Sequence, residues 1–234
     1  MPSFKRRRVD FVDPSTALAH DGFAILRNAV RADLIARLAD LCDAVPGAGI
    51  RNLFDVVPEA REVARAEPIR AALRRILGSR IALTRAILFD KQGAANWSVP
   101  WHQDTVIAVE RKVDTPGFGP WSIKQGVTHV TPPARVLESM LTVRVHLDDA
   151  DATNGALSIL PRTHTRGILD DDHIRDLRDS IEPVLCECRA GDALLMRPLL
   201  LHASARSTSP RRRRVIHLEY GTSRLPGKLQ WARA

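Results

Sequence analysis

The spacing of apolar residues along the chain changes near Gly78. Before it, from Ser15 to Leu77, apolar positions recur at three- and four-residue intervals, which places them on one face of an α-helix. In RADLIARLADLCDAV (31–45) Leu34, Ile35, Leu38 and Leu41 share such a face. EPIRAALRRIL (67–77) carries Pro68 in the first turn, where no intrahelical N–H is needed, and then Ile69, Leu73 and Ile76 on one stripe. Between the early helices, GFAILRN (22–28) reads as a short strand.

After Gly78 the pattern becomes short β-type runs bounded by turn residues: RIALTRAILFD, MLTVRVHLDD, GALSILP, EPVLCECRAGDALLMRP and RRRRVIHLEYG. This predicts an α+β, mainly β protein, a sandwich or barrel with an N-terminal helical layer in front. VERKVDTPGFGPWSIKQGVTHVTPP (109–133), with four prolines and three glycines, predicts a long loop of the lid or binding kind. No repeat or flexible linker divides the chain. The expected organisation is one domain over 1–234, with a basic arm (1–14), a helical layer (15–77), a β core (78–222) and the lid (109–133).

At 234 residues the chain can bury a substantial core without disulfides or a structural metal. Its three cysteines, Cys42, Cys186 and Cys188, lack a spacing for zinc and read as reduced core residues. No run approaches the ~18 apolar residues of a membrane span, and no apolar segment follows the basic MPSFKRRRVDF, so the expected location is the cytoplasm. A net charge of +8 and a pI near 10.2 raise the question of nucleic acid, with KRRR (5–8) and PRRRR (210–214) as phosphate contacts. One tyrosine and six phenylalanines offer no stacking platform, which favours solvated charge or attraction of anionic small molecules.

The chemistry concentrates in VPWHQD (99–104). Residues i and i+2 of a strand project from one face, so His102 and Asp104 can close on one metal while Gln103 points away. A third ligand would complete the two-histidine, one-carboxylate face of non-haem Fe(II) oxygenases, and His202, at the end of the apolar run in RPLLLHASA, is the best placed. Arg213 follows eleven residues later; a guanidinium pairs bidentately with a carboxylate and would anchor 2-oxoglutarate. Ser204, two beyond His202, could add a hydroxyl donor.

WHQD, NGALSILPRTH (154–164), AGDALLMRPLLLHAS (190–204) and an arginine eleven beyond the histidine resemble, in that order, the phytanoyl-CoA dioxygenase family over roughly residues 15 to 220. The resemblance implies a double-stranded β-helix (jelly-roll, cupin-like) fold, Fe(II) held by His102, Asp104 and His202, 2-oxoglutarate gripped by Arg213 and Ser204, and O₂ as co-reactant. It implies a dioxygenase that hydroxylates an unactivated C–H bond of a small molecule and releases succinate and CO₂. Asp104 favours hydroxylation over halogenation, because related halogenases carry a small residue there. One departure is Ser207, where the family often has asparagine.

Alternatives accompany these assignments. His146-Leu147-Asp148 is a second H-x-D in a strand, and His146 either lines the pocket or packs. Arg211 shares a strand face with Arg213. Lys91 contacts an anionic cosubstrate or is solvated, and Gln103 reaches the cosubstrate only if the strand twists. Trp97, Trp101, Trp121 and His129 gather near the expected mouth, either packing the loop or touching substrate. Two further functions compete: a nucleic-acid-directed oxygenase of the same superfamily, and a non-catalytic jelly-roll binding protein.

Overall fold

The computed structural model describes residues 13–92, 95–222, 224–232 and 234. The arginines of KRRR (5–8) lie outside them. In chain order the elements are α1 (Pro14–His20), β1 (Phe23–Leu26), α2 (Ala32–Asp43), β2 (Gly49–Ile50), α3 (Leu53–Val56), α4 (Arg61–Arg65) and α5 (Glu67–Leu77). There follow β3 (Ile81–Lys91), β4 (Val99–His102), β5 (Ile107–Val109), β6 (Trp121–Lys124), β7 (Val127–Val130), α6 (Ala134–Glu138), β8 (Leu141–His146) and β9 (Leu157–Ile159). The chain continues through α7 (Asp171–Ser180), β10 (Val184–Cys186), β11 (Ala193–Met196), β12 (His202–Ser204) and β13 (Arg213–Thr222).

Six antiparallel strands form the larger sheet in the order β1-β11-β8-β13-β3-β2, and four form the smaller, β10-β9-β12-β4. Strand alternation gives the larger sheet two faces of different chemistry. Outward, Leu141, Val143 and Val145 of β8, Ile216, Leu218 and Tyr220 of β13, and Ala86 and Leu88 of β3 pack in one cluster with Leu18, Ile35, Leu38, Leu53, Ile69 and Leu73 of the helices. That is the expected helical layer, and removing the Leu38 side chain from it would cost about 2–5 kcal/mol. Inward, the same strands carry Arg144, His146, Arg213, His217, Glu219 and Lys91, all buried. Leu194 and Met196 of β11 meet Leu157 and Ile159 of β9, packing the sheets face to face as a jelly roll.

Two expectations need correction. On α2 the inward positions are Ile35, Leu38 and Cys42, whereas Leu41 is 36% exposed. The i, i+3, i+7 spacing follows the 3.6-residue period, and Leu41 falls off that stripe. The segment 109–133, expected as a long loop, contains strands. It carries β6 and β7, which form a three-stranded antiparallel sheet with β5 in the order β5-β7-β6, and Val109, Phe118 and Val130 pack with Val136, Leu137, Met140 and Leu199. Its Gly and Pro residues mark turns between very short strands, and each strand is too short to register as an alternating run. Among the described residues no helix is long and apolar enough to cross a membrane.

Candidate metal centre

His102 ends β4, His202 begins β12, and the two are direct partners in the antiparallel ladder between those strands. Their rings lie 4.1 Å apart between centroids. Asp104 does not continue the strand; it lies just past β4, where its N–H donates to the Pro198 carbonyl at 2.9 Å. This turn, rather than strand alternation, brings the carboxylate to the histidines. Asp104 Oδ1 is 3.8 Å from His102 Nε2 and Oδ2 is 3.8 Å from His202 Nε2. One ion with bonds of about 2.1 Å reaches across such gaps.

The hydrogen bonds fix which nitrogens are available. His102 Nδ1 donates to Pro100 O and His202 Nδ1 to Leu200 O, each at 2.9 Å. A carbonyl only accepts, so both Nδ1 atoms carry the proton and both Nε2 atoms present lone pairs to the same point. Burial, partly offset by Asp104, pushes His202 down to about 4 and keeps it neutral. Burial alone would raise Asp104, but His202, His217 and His102 hold it at about 2, ionised. Among the described residues buried Oδ2 of Asp104 has no hydrogen-bond partner, an acceptor left for a cation. The ligand atoms of His102, Asp104 and His202 all lie within 4.8 Å of one another, the only such histidine, cysteine or carboxylate group among the described residues.

The second H-x-D behaves differently. Asp148 takes Arg214 in a two-pronged pair, at 2.8 Å to Nε and 2.7 Å to Nη2. His146 is buried on the inner face, and neither ring nitrogen is bonded to any of the described residues.

Further along the inner wall stands a group of cations. Lys91 and Arg213 are register partners of β3 and β13, and both are buried. Among the described residues Arg213 Nε and Nη1 have no partner, nor has Nε of buried Arg144. Burial, then Arg213 and Arg144, pushes Lys91 down to about 8; burial, then Arg144, pushes Arg213 to about 10. Three inward cations without a carboxylate between them suit a dianion such as 2-oxoglutarate. Of the four consecutive arginines only Arg213 turns inward: Arg211 pairs with Asp151, Arg212 with Asp90 and Asp43, and Arg214 with Asp148 and Asp43.

Other expected residues have different work. Ser204 donates to Gly155 O at 2.9 Å and accepts from Lys91 Nζ at 3.0 Å, so its only proton is engaged and it positions Lys91. Gln103 is turned away: Nε2 donates to Gly167 O and Leu199 O, and Oε1 accepts from Leu169 N. Those bonds tie β4 to the approach to α7 and leave nothing for a cosubstrate. At Ser207 the backbone exchanges two 2.7 Å bonds with the Asn96 amide, so an asparagine does brace this loop, from another place in the chain. Trp97 lies under the Lys91 ammonium, 5.4 Å from Nζ to the ring centroid. Trp121 packs with the three-stranded sheet, and Trp101 is half-buried on β4. His129 is fully buried on β7.

Sequence reading missed a polar chain across the inner wall. Arg144 Nη1 donates to His217 Nδ1 at 2.9 Å, His217 Nε2 donates to Glu219 Oε1 at 3.1 Å, and Arg85 pairs with the same oxygen. The signal was there in RRRRVIHLEY, where polar residues 213, 217 and 219 fall on one face of one strand.

A jelly roll carrying a two-histidine, one-carboxylate face beside a buried cation pocket defines a class, the iron(II)- and 2-oxoglutarate-dependent oxygenases. The chain belongs to the phytanoyl-CoA dioxygenase family, whose model matches residues 18–215, and is an oxidoreductase that uses iron, 2-oxoglutarate and O₂. Solved structures share the fold at low identity. EctD from S. alaskensis, crystallised with 2-oxoglutarate and 5-hydroxyectoine, aligns with TM-score 0.69 and 18% identity over 94% of this chain and 79% of its own. The epimerase SnoN, in complex with Fe3+, alpha ketoglutarate and nogalamycin RO, aligns with TM-score 0.69 and 16% identity over 92% and 90%. AviO1 from Streptomyces viridochromogenes Tue57 aligns with TM-score 0.66 and 22% identity over 94% and 99%. No curated protein matches the sequence significantly.

Proposed function

We propose that this oxygenase hydroxylates an unactivated C–H bond of a small molecule. The observation that carries the reading is the intact triad: Asp104 supplies a carboxylate where halide-using relatives would need space, and its ligand atoms converge with those of His102 and His202. Those three residues would hold iron(II), leaving open positions for cosubstrate and oxygen. Lys91 and Arg213 would bind the distal carboxylate of 2-oxoglutarate through charge-assisted bonds. When bound, iron and 2-oxoglutarate supply the oxidising power, with succinate and CO₂ as the co-products.

The chain's own part is positional. Backbone carbonyls of Pro100 and Leu200 hold the imidazoles in the ligating tautomer. Gly155 O and Ala205 O hold Ser204 and Lys91 at the cosubstrate end. The chain from Arg144 to Arg85 supplies a rigid inner wall whose hydrogen bonds are already made, so no water is needed to solvate His217 or Glu219. The nucleic-acid alternative loses support because Arg211, Arg212 and Arg214 are paired with acids and Arg213 faces inward.

The test is turnover under ¹⁸O₂ across a panel of small acids, amino acids and esters. Hydroxylation predicts one ¹⁸O in the oxidised product and one in succinate. A product formed with equimolar succinate but no added oxygen would replace hydroxylation with desaturation or epimerisation. No substrate-dependent succinate would favour the binding-protein reading.

A further inference from the structure

A second set of polar groups lies at the other end of the inner wall. Arg51, Thr84, Arg85, Ala108 and His129, together with exposed Asp55 of α3 and Ala234, line a cavity of about 50 Å³. Arg85 is six residues from Lys91 along β3, about 20 Å, and Ala108 is four residues beyond Asp104. The register partner of His217, Ile87, falls between Arg85 and Lys91. Along these strands, therefore, His217 lies between this cavity and the cosubstrate cations.

The chemistry of its lining is specific. Arg51 is half-buried and has no ion pair or hydrogen bond among the described residues. Arg85 gives Nε and Nη2 to Glu219 and keeps Nη1. His129 is fully buried; its Nδ1 donates to Val127 O at 2.9 Å, so Nε2 bears a lone pair, and that atom has no partner among the described residues. The Arg51 guanidinium, offset only through space by Glu219, stands beside a bare acceptor and suits a ligand that offers an anion and a proton donor together. At roughly 10–15 Å³ per water, the cavity holds a group of about three to five heavy atoms and not a whole metabolite.

We propose that this cavity is a substrate headgroup site for a carboxylate that bears a hydroxyl or amino group on the adjacent carbon. The carboxylate lies on Arg51 and Arg85, and the neighbouring O–H or N–H donates to His129 Nε2. That the ligand is the oxidised substrate rests on the oxygenase reading; that the cavity binds such a group does not.

The experiment is anaerobic titration calorimetry of the Fe(II)-loaded protein, saturated with 2-oxoglutarate, using mandelate, phenylacetate and methyl mandelate as probes. Mandelate is expected to bind one site, and phenylacetate, lacking the hydroxyl, and the uncharged ester each at least ten-fold more weakly. Arg51→Gln, at a residue with no hydrogen-bond or ion-pair partner among the described residues, should weaken mandelate at least ten-fold and leave 2-oxoglutarate affinity unchanged. His129→Phe should erase the preference for mandelate over phenylacetate. Competition between mandelate and 2-oxoglutarate, undiminished binding by Arg51→Gln, or no binding at all would overturn the proposal. If wild type fails to bind 2-oxoglutarate, the oxygenase reading falls instead, and the same titration without cosubstrate decides the cavity.

Discussion

Arg213 and Lys91 face each other across the β13–β3 ladder, both buried, and neither pairs with a carboxylate among the described residues. Such an arrangement is unfavourable in the empty protein and is relieved by an anion. Arg213→Met should therefore raise the 2-oxoglutarate KM by ten- to a hundred-fold, matching about 1.5–3 kcal/mol for a bond to a charged group. Its melting temperature without cosubstrate should stay level or rise. A large fall in melting temperature would show that Arg213 has a structural partner.

Lys91, pushed down to about 8 by burial and its cationic neighbours, makes cosubstrate binding pH-dependent. Below pH 8 the ammonium is charged and 2-oxoglutarate affinity should be flat. Above it, binding must first take up a proton, so Kd should rise by up to ten-fold per pH unit. Lys91→Met should bind more weakly at pH 7 and lose this slope; a slope retained in that variant would assign it to another group.

The two H-x-D motifs make opposite predictions. Asp104→Ala should abolish iron-dependent 2-oxoglutarate consumption with little change in stability, because buried Oδ2 has no hydrogen bond to lose among the described residues. Asp148→Ala removes the two-pronged pair with Arg214 and should cost about 1.5–3 kcal/mol in urea unfolding while iron binding persists. The reverse pattern would move the metal site.

Gly155 has φ +77°, and a Cβ there would stand 2.6 Å from Ala205 O and 3.0 Å from Lys91 Nζ. Gly155→Ala is expected to cost about 1–3 kcal/mol for the left-handed backbone and to raise the 2-oxoglutarate KM by displacing Lys91. A variant with altered stability but unchanged KM would separate Gly155 from the cosubstrate end.

The helical layer, the β core and the triad were legible because each leaves a local trace: a 3.6-residue stripe around Leu38, alternation in β8 and β13, an H-x-D motif and a distant histidine. What escaped depended on tertiary contacts. Asp104 reaches the metal site through a turn held by Pro198 O, and Gln103 is claimed by backbone groups some 65 to 95 residues away. The strands inside 109–133 are stabilised by packing on α6 and Leu199 rather than by their own periodicity. The inner-wall chain from Arg144 to Arg85 joins three strands, so no single stretch of sequence displays it.

The central claim, that His102, Asp104 and His202 hold iron with 2-oxoglutarate beside Arg213, is tested most directly by anaerobic absorption spectroscopy of the protein with Fe(II) and 2-oxoglutarate. Wild type and His146→Ala should show a visible metal-to-ligand charge-transfer band, and His102→Ala should not. A band that survives in His102→Ala and disappears in His146→Ala, or no band in wild type with verified iron loading, would contradict the account.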